Sequence, residues 1–431
     1  MKSDPSAGPS RRDFLVAGGL GLVAATQGAS AAAQGPAAGG ANAGNAPRTS
    51  PVILPALKAD TEAQAGNPFD PLPPSKRLGV AVVGLGELSL QEILPAFGQC
   101  RYVKLAALVS GDPAKASKVA DQYGVGADHL YDYTNFDRIA QDPAIDVVYV
   151  VLPNSMHMEY TVRAARAGKH VLCEKPMANS VAECEQMIAA CESARKQLMI
   201  AYRCQYEPYN REMIRIARSG EYGTIRLIEA VNGQNQATNN QWRHKKALAG
   251  GGSLPDVGLY CLNATRYITG LEPVQVTAQI LSDESDPRFT EVEDRVNFQF
   301  KFPTGILASC QTFYSAHETR KCSVLFEKAR LDLAPAFAYR NLKMMIAAAK
   351  GMAEITQEIK LPEKSHFALE MDHMGERILQ NTKNHTPGEE GLQDMKIVEA
   401  IYLAARSGKP VDLPHVQGYD TTRGLAPARS S

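Results

Sequence analysis

Lys76-Arg-Leu-Gly-Val-Ala-Val-Val-Gly-Leu-Gly-Glu-Leu-Ser-Leu-Gln-Glu-Ile-Leu94 is the stretch on which the fold turns. Val80 to Val83 has the apolar, largely β-branched composition of a strand buried on both faces of a parallel sheet. Gly84-Leu85-Gly86-Glu87-Leu88-Ser89 follows, and Gln91 to Phe97 carries apolar residues at helical spacing. Strand, glycine turn and helix form the setting in which G-x-G-x-x-[G/A/S] reads as a dinucleotide fingerprint. Gly84 allows the tight turn, Gly86 lets backbone N–H groups approach a pyrophosphate, and Ser89 is a small residue where helix meets strand. Taken alone, the motif also fits a tight βα turn in some other α/β protein.

The 431 residues suffice for one large or two medium domains. Forty-six basic residues balance 46 acidic ones, so charge points to neither a nucleic-acid nor an anionic-membrane partner. Eight cysteines show no C-x-x-C pair and no zinc-type spacing with histidine. No metal site and no disulfide framework is expected.

Ser10-Arg-Arg-Asp-Phe-Leu15 has the twin-arginine pattern, followed by the weakly apolar Val16 to Ala25 and by Ala29-Ser30-Ala31. The apolar run is far shorter than the roughly 20 residues that span a bilayer, so residues 1–31 read as a cleaved signal peptide. The mature form then carries no membrane segment and is periplasmic, exported already folded. Residues 32–75 are rich in Ala, Gly, Pro and Asn and form either a linker or an extended arm.

From 76 to 203 strands and helices alternate. Val103 to Val109 ends at Ser110-Gly111-Asp112, where NAD-selective folds place a carboxylate for the ribose. Ser110, with Lys115 and Lys118 following, suits a 2′-phosphate instead, so NADP is favoured. Leu130 to Asn135 brings Tyr133 near the nucleotide. Asp146 to Leu152 runs into Pro153-Asn154-Ser155-Met156-His157, and His170 to Cys173 delivers Glu174-Lys175-Pro176 to the same sheet edge. Helices at 160–167 and 187–195 and a strand at 198–202 sustain the alternation of a doubly wound parallel sheet. The candidate cofactor contacts are therefore Gly84 to Leu88, Ser110, Gly111, Lys115, Tyr133, Leu152 to Ser155, His157, Glu174 and Lys175.

Residues 204–412 read as a second, α+β domain and 413–431 as a tail. Strands at 225–231, 274–281, 292–302, 306–312 and 322–333 describe a mostly antiparallel sheet. Ser253, after the glycines 250–252, is placed to cap the next helix, where Asp256 and Tyr260 share a face at i,i+4. Helices at 367–378 and 394–405 close the domain. His366, His373 and their acidic neighbours read as exposed.

V-V-G-L-G, L-P-N-S-x-H, C-E-K-P, G-G-G-S-L-x-D-x-G-x-Y and G-E-E-G-x-Q-D occur in this order over residues 77–412. Together they resemble the Gfo/Idh/MocA oxidoreductase family, and within it the exported glucose–fructose and aldose–aldose branch. The resemblance implies a Rossmann domain, tightly held NADP, and an open-faced sheet through which a homodimer or homotetramer forms. It implies that Lys175 and Tyr260 are catalytic, with Tyr260 moving the proton under the charge of Lys175, and that Asp256 holds a substrate hydroxyl. Arg203, Trp242, Arg243 and Tyr339 fall near the nicotinamide, Arg203 also touching substrate. The expected reaction oxidises an aldose at C1 and passes the hydride to fructose or an aldose. Residues 230–240 follow that branch poorly. A sugar dehydrogenase with exchangeable NAD(P) and a non-catalytic sensor are the competing expectations.

Overall fold

The structure, a computed structural model, describes residues 71–236, 241–283, 285–414 and 416. The expected signal peptide, the arm up to residue 70 and nearly all of the tail lie outside them.

Six strands form the first sheet: β1 (Leu78–Val83), β2 (Val103–Val109), β3 (Leu130–Tyr131), β4 (Val147–Val150), β5 (His170–Glu174) and β6 (Leu198–Ala201). All pair in parallel, in the order β3-β2-β1-β4-β5-β6. The order reverses between β1 and β4, which opens a crevice at the carboxyl ends of these strands. Near-continuous burial along β1 and β4 explains their unbroken apolar runs.

The helix expected at 91–97 is present but irregular: a π-type segment, Ser89–Ile93, runs into α1 (Leu94–Ala96) and then a 3-10 turn, Phe97–Gln99. Pro95 has no N–H to give to an α-helical ladder, so the hydrogen-bond pattern changes around it while the helical backbone continues. Longer helices follow: α2 (Pro113–Tyr123), α3 (His157–Arg166), α4 (Val181–Ser193) and α5 (Pro208–Ser219). Three of them start at side-chain caps, with Asp112, Ser180 and Glu207 accepting first-turn N–H groups.

The second sheet has nine strands: β7 (Ile225–Gly233), β8 (Gln275–Leu281), β9 (Arg295–Lys301), β10 (Leu307–Phe313), β11 (Thr319–Phe326), β12 (Ala329–Leu333), β13 (Met344–Lys350), β14 (Ala353–Ile359) and β15 (Val411–Asp412). Their order is β14-β13-β12-β11-β7-β10-β9-β8-β15, and among these neighbours only β7 and β10 run parallel. The expected single strand at 322–333 is the hairpin β11–β12, broken where Glu327 and Lys328 turn to donate to Thr224 and Tyr222. Along β9 burial alternates strictly, so one sheet face packs inward and the other, with Arg295, Asn297, Gln299 and Lys301, is open.

Four helices complete the domain: α6 (Lys246–Ala249), α7 (Leu259–Thr269), α8 (His366–Leu379) and α9 (Gly388–Ser407). Ser253 does not cap α7: its backbone is already helical, and its hydroxyl is buried with no partner among the described residues. The expected exposed face of α8 is also corrected. His366 is 2% and Glu370 0% exposed, because α8 packs against the Rossmann sheet and not against solvent. His373 is half-buried and accepts from the His385 N–H. All eight cysteines are buried free thiols.

Candidate functional site

β5 ends at Glu174 and projects Lys175 toward the second domain. Lys175 Nζ donates to the Asp256 carbonyl at 2.7 Å and approaches its Oδ1 at 3.4 Å. The same ammonium stands 4.5 Å from the ring centroid of Tyr260. A π-type turn, Leu254–Gly258, joins the glycine loop to α7 and carries Asp256, while Tyr260 lies in the first turn of α7. The residues of the expected catalytic trio are thus brought together.

Asp256 Oδ2 accepts from Tyr314 Oη at 2.6 Å and from Arg243 Nε at 3.1 Å. Burial pushes its carboxyl upward, but the charges of Arg243 and Lys175 and the Tyr314 hydrogen bond outweigh that and hold it down at about 2. The carboxylate is a permanent acceptor. Tyr314, just past the end of β10, was not among the sequence candidates; the only signal for it was a tyrosine following an alternating strand.

Arg203 follows β6 and is buried. Its guanidinium lies 4.9 Å from the Tyr260 ring centroid and 4.5 Å from that of Tyr339, and donates to the carbonyls of Phe337 (2.6 Å) and Ala338 (3.3 Å). It therefore forms the floor under both tyrosines. The charge of Lys175 does not leave the Tyr260 phenol easier to ionise. Burial pushes it above its ordinary value, and the Arg203 charge offsets only part of the rise. Tyr260 is a neutral phenol here, able to give a proton.

On the nucleotide side, Gly84 sits at φ +98°, and a Cβ there would lie 2.2 Å from the Val151 carbonyl. A Cβ on Gly86 would meet no atom within 4 Å, which leaves an open cradle at the strand end. Leu85 is buried, whereas Glu87 is exposed and accepts from Gln91. Ser110 is buried at the end of β2, and Gly111 lies against the Tyr133 ring. Asp112 spends its carboxylate on the Lys115 N–H, while the Lys115 and Lys118 side chains are exposed. This cradle and rim fit a nicotinamide dinucleotide.

Three of the expected cofactor contacts make hydrogen bonds within the protein. The ring nitrogens of His157 lie 2.9 and 2.8 Å from the carbonyls of Leu152 and Pro176, bracing the two loops against each other. Asn154 Nδ2 donates to Ala249, tying the first domain to α6. Glu174 turns inward to Tyr149 Oη and the Lys175 N–H. Leu152, Pro153 and Ser155 line the loop between. Trp242 carries the Arg243 guanidinium 4.5 Å from its ring centroid, and Tyr339 is 39% exposed at the rim.

Residues 78–202 match the model of an oxidoreductase family with an NAD-binding Rossmann fold, and residues 210–332 that of the GFO/IDH/MocA C-terminal domain. A D-xylose 1-dehydrogenase [NADP(+)] of Haloarcula marismortui is 29% identical over 343 residues, 77% of this chain and 92% of that protein. The D-glucoside 3-dehydrogenase of Escherichia coli is 26% identical, over 79% of this chain and 98% of the relative. The crystal structure of aldose-aldose oxidoreductase from Caulobacter crescentus, complexed with glycerol, superposes with a TM-score of 0.75 at 46% identity. That match covers 78% of this chain and 100% of the other.

Proposed function

The chain belongs to the Gfo/Idh/MocA oxidoreductase family, and from that premise we propose that it is a periplasmic sugar oxidoreductase with tightly bound NADP. It oxidises an aldose such as glucose at C1 to the aldonolactone, and a second sugar, fructose or an aldose, leaves as the polyol. The observation that carries this reading is the convergence of Lys175, Asp256 and Tyr260 on one point, with Arg203 beneath. The similarity to aldose-aldose oxidoreductase supports it.

When bound, the nicotinamide ring supplies the carbon that accepts and returns hydride. Gly84 to Leu88 would hold its pyrophosphate, and Ser110 with Lys115 its 2′-phosphate. Asp256, ionised at any working pH, accepts from a sugar hydroxyl and fixes the ring. Lys175 donates to the oxygen on the reacting carbon. In the reducing half-reaction Tyr260 Oη gives its proton to the carbonyl oxygen of the acceptor sugar. In the oxidising half-reaction the resulting phenolate, flanked by the cations of Lys175 and Arg203, takes the C1 hydroxyl proton.

Export sharpens the scheme. Nicotinamide nucleotides form no dissociable pool outside the cytoplasm, so the cofactor must be recycled in place and the kinetics are ping-pong. The open sheet face is the surface for a homo-oligomer. Purified protein should release NADP on acid denaturation and turn over glucose plus a ketose or aldose acceptor with no nucleotide added. Turnover that strictly needs added NADP would instead favour a dehydrogenase with exchangeable cofactor.

A further inference from the structure

We propose that Glu370 holds a proton which it donates to Tyr149 Oη, and that this hydrogen-bond chain positions Lys175. Tyr149 on β4 and Glu370 on α8 are both fully buried, and Glu174 is nearly so. Tyr149 Oη lies 2.8 Å from Glu174 Oε1 and 3.0 Å from Glu370 Oε1.

A phenol has one proton and can satisfy only one of two carboxylates. With both ionised, one of these contacts would set a hydroxyl lone pair against an anion, deep in a low-dielectric interior. A proton on Glu370 resolves the conflict: Glu370 O–H donates to Tyr149, Tyr149 O–H to Glu174 Oε1, and the Lys175 N–H to Glu174 Oε2 at 3.2 Å.

The proton belongs on Glu370 and not on Glu174. Glu174 has a second donor in the Lys175 N–H and lies beside the Lys175 charge, whereas Glu370 Oε2 has no partner among the described residues. The other titratable and charged groups facing the cluster are Arg203, Cys173, Cys204, Tyr206, Tyr260 and Tyr339. Arg203 is committed to His366 and two carbonyls and donates to neither carboxylate. Burial, with the nearby Glu174 charge, also raises the Glu370 carboxyl well above its ordinary value.

The chain ends at the backbone N–H of the residue whose ammonium reaches Asp256 and Tyr260, so Glu370 is a positioning residue. This rests on the proposed role of Lys175, but its spectroscopic test does not. In the holoenzyme at neutral pH, the infrared difference between native protein and Glu370→Gln should show the loss of a protonated carboxylic acid C=O stretch. Loss of a carboxylate band instead overturns the proposal. Glu370→Gln keeps an N–H donor for Tyr149 and should retain kcat within about threefold, while Glu370→Ala should lose about tenfold or more in kcat at little-changed KM. Equal loss in Gln and Ala variants overturns it as well. If Glu370→Ala does not fold, Tyr149→Phe, which cuts the same chain, takes its place with the same expected outcome.

Discussion

Arg203 donates from Nη1 to Nδ1 of His366 across 3.0 Å. Because a guanidinium has no acceptor, Nδ1 must be unprotonated, which fixes the neutral tautomer with its hydrogen on Nε2. Burial first, and then the Arg203 charge, hold His366 down at about 2, against an ordinary value of 6.5. The unfolded chain therefore binds a proton below pH 6.5 that the folded chain refuses. Stability is full above that pH and falls as pH drops from there toward 2. His170, His373 and His385, held at about 4, 3 and 4, act in the same direction. His366→Gln removes one titrating group but leaves an amide oxygen for Arg203. Between pH 7 and 5 its unfolding free energy in urea should fall by up to about 2 kcal/mol less than that of the native protein. Equal falls in the two proteins would mean that His366 is not held neutral.

Tyr260→Phe removes the group read as the proton donor without disturbing the Arg203 floor. Both half-reactions should slow by about a hundredfold or more, a usual loss for a general acid–base group. Bound nucleotide should stay at the native stoichiometry. Single-turnover reduction of the cofactor by glucose and its reoxidation by the acceptor sugar measure the halves separately. A variant that slows only one half would show that a different group moves the proton in the other.

Asp256 keeps its negative charge far below neutral, so it cannot supply the acidic limb of a pH–rate profile near pH 4 or above. Asp256→Asn should lower kcat/KM across the whole pH range by about a hundredfold, with KM raised, because a permanent acceptor and the partner of Lys175 are lost together. Tyr314→Phe removes one hydrogen bond to Oδ2 and leaves Arg243 in place. Its loss should be about tenfold. If Tyr314→Phe were as damaging as Asp256→Asn, the tyrosine would be touching substrate itself.

Lys175 was legible from a local signal, a strand end before proline, whereas Asp256 and Tyr260 showed only as an i,i+4 pair after a glycine triplet and took their roles from the motif resemblance. Arg203 entered only through the family resemblance. Tyr149, Tyr314, His366 and Glu370 were not legible. Each is placed by a contact tens to hundreds of residues away, and α8 looked like a surface helix because the sheet it covers is invisible in its own periodicity. Pattern reading likewise missed the hairpin β13–β14. β14 is exposed almost throughout, so its sequence carries no burial alternation to find.

The G-E-E-G-x-Q-D motif finds its use in α9. Arg266, fully buried on α7, meets Glu272, Glu390 and Asp394, with Asn263 donating to the last two. This ties the helix that carries Tyr260 to the C-terminal helix. Removing one partner of a buried ion cluster strands the rest, so Arg266→Ala should destabilise the protein by about 3–5 kcal/mol, measured by urea unfolding. Arg266→Met fills the volume but returns no cation to the three carboxylates, and should recover little of that loss. Near-native stability in either variant would show that the carboxylates are neutralised by protons and not by the guanidinium.

Gly84 and Gly86 should separate folding from nucleotide binding. Gly84→Ala forces a side chain into φ +98° and into the Val151 carbonyl, so it should destabilise even the nucleotide-free protein, by about 2 kcal/mol or more. Gly86→Ala adds a methyl to open space at a backbone angle any residue adopts, and nucleotide-free stability should change by less than about 1 kcal/mol. The comparison belongs on stripped protein, because bound nucleotide adds stability of its own by mass action. If the cradle is where a pyrophosphate meets the chain, that methyl occupies the space the phosphates need, and Gly86→Ala should retain little nucleotide on purification. A Gly86→Ala protein that emerges fully loaded would place the phosphates elsewhere, whatever the strand–turn–helix order implies.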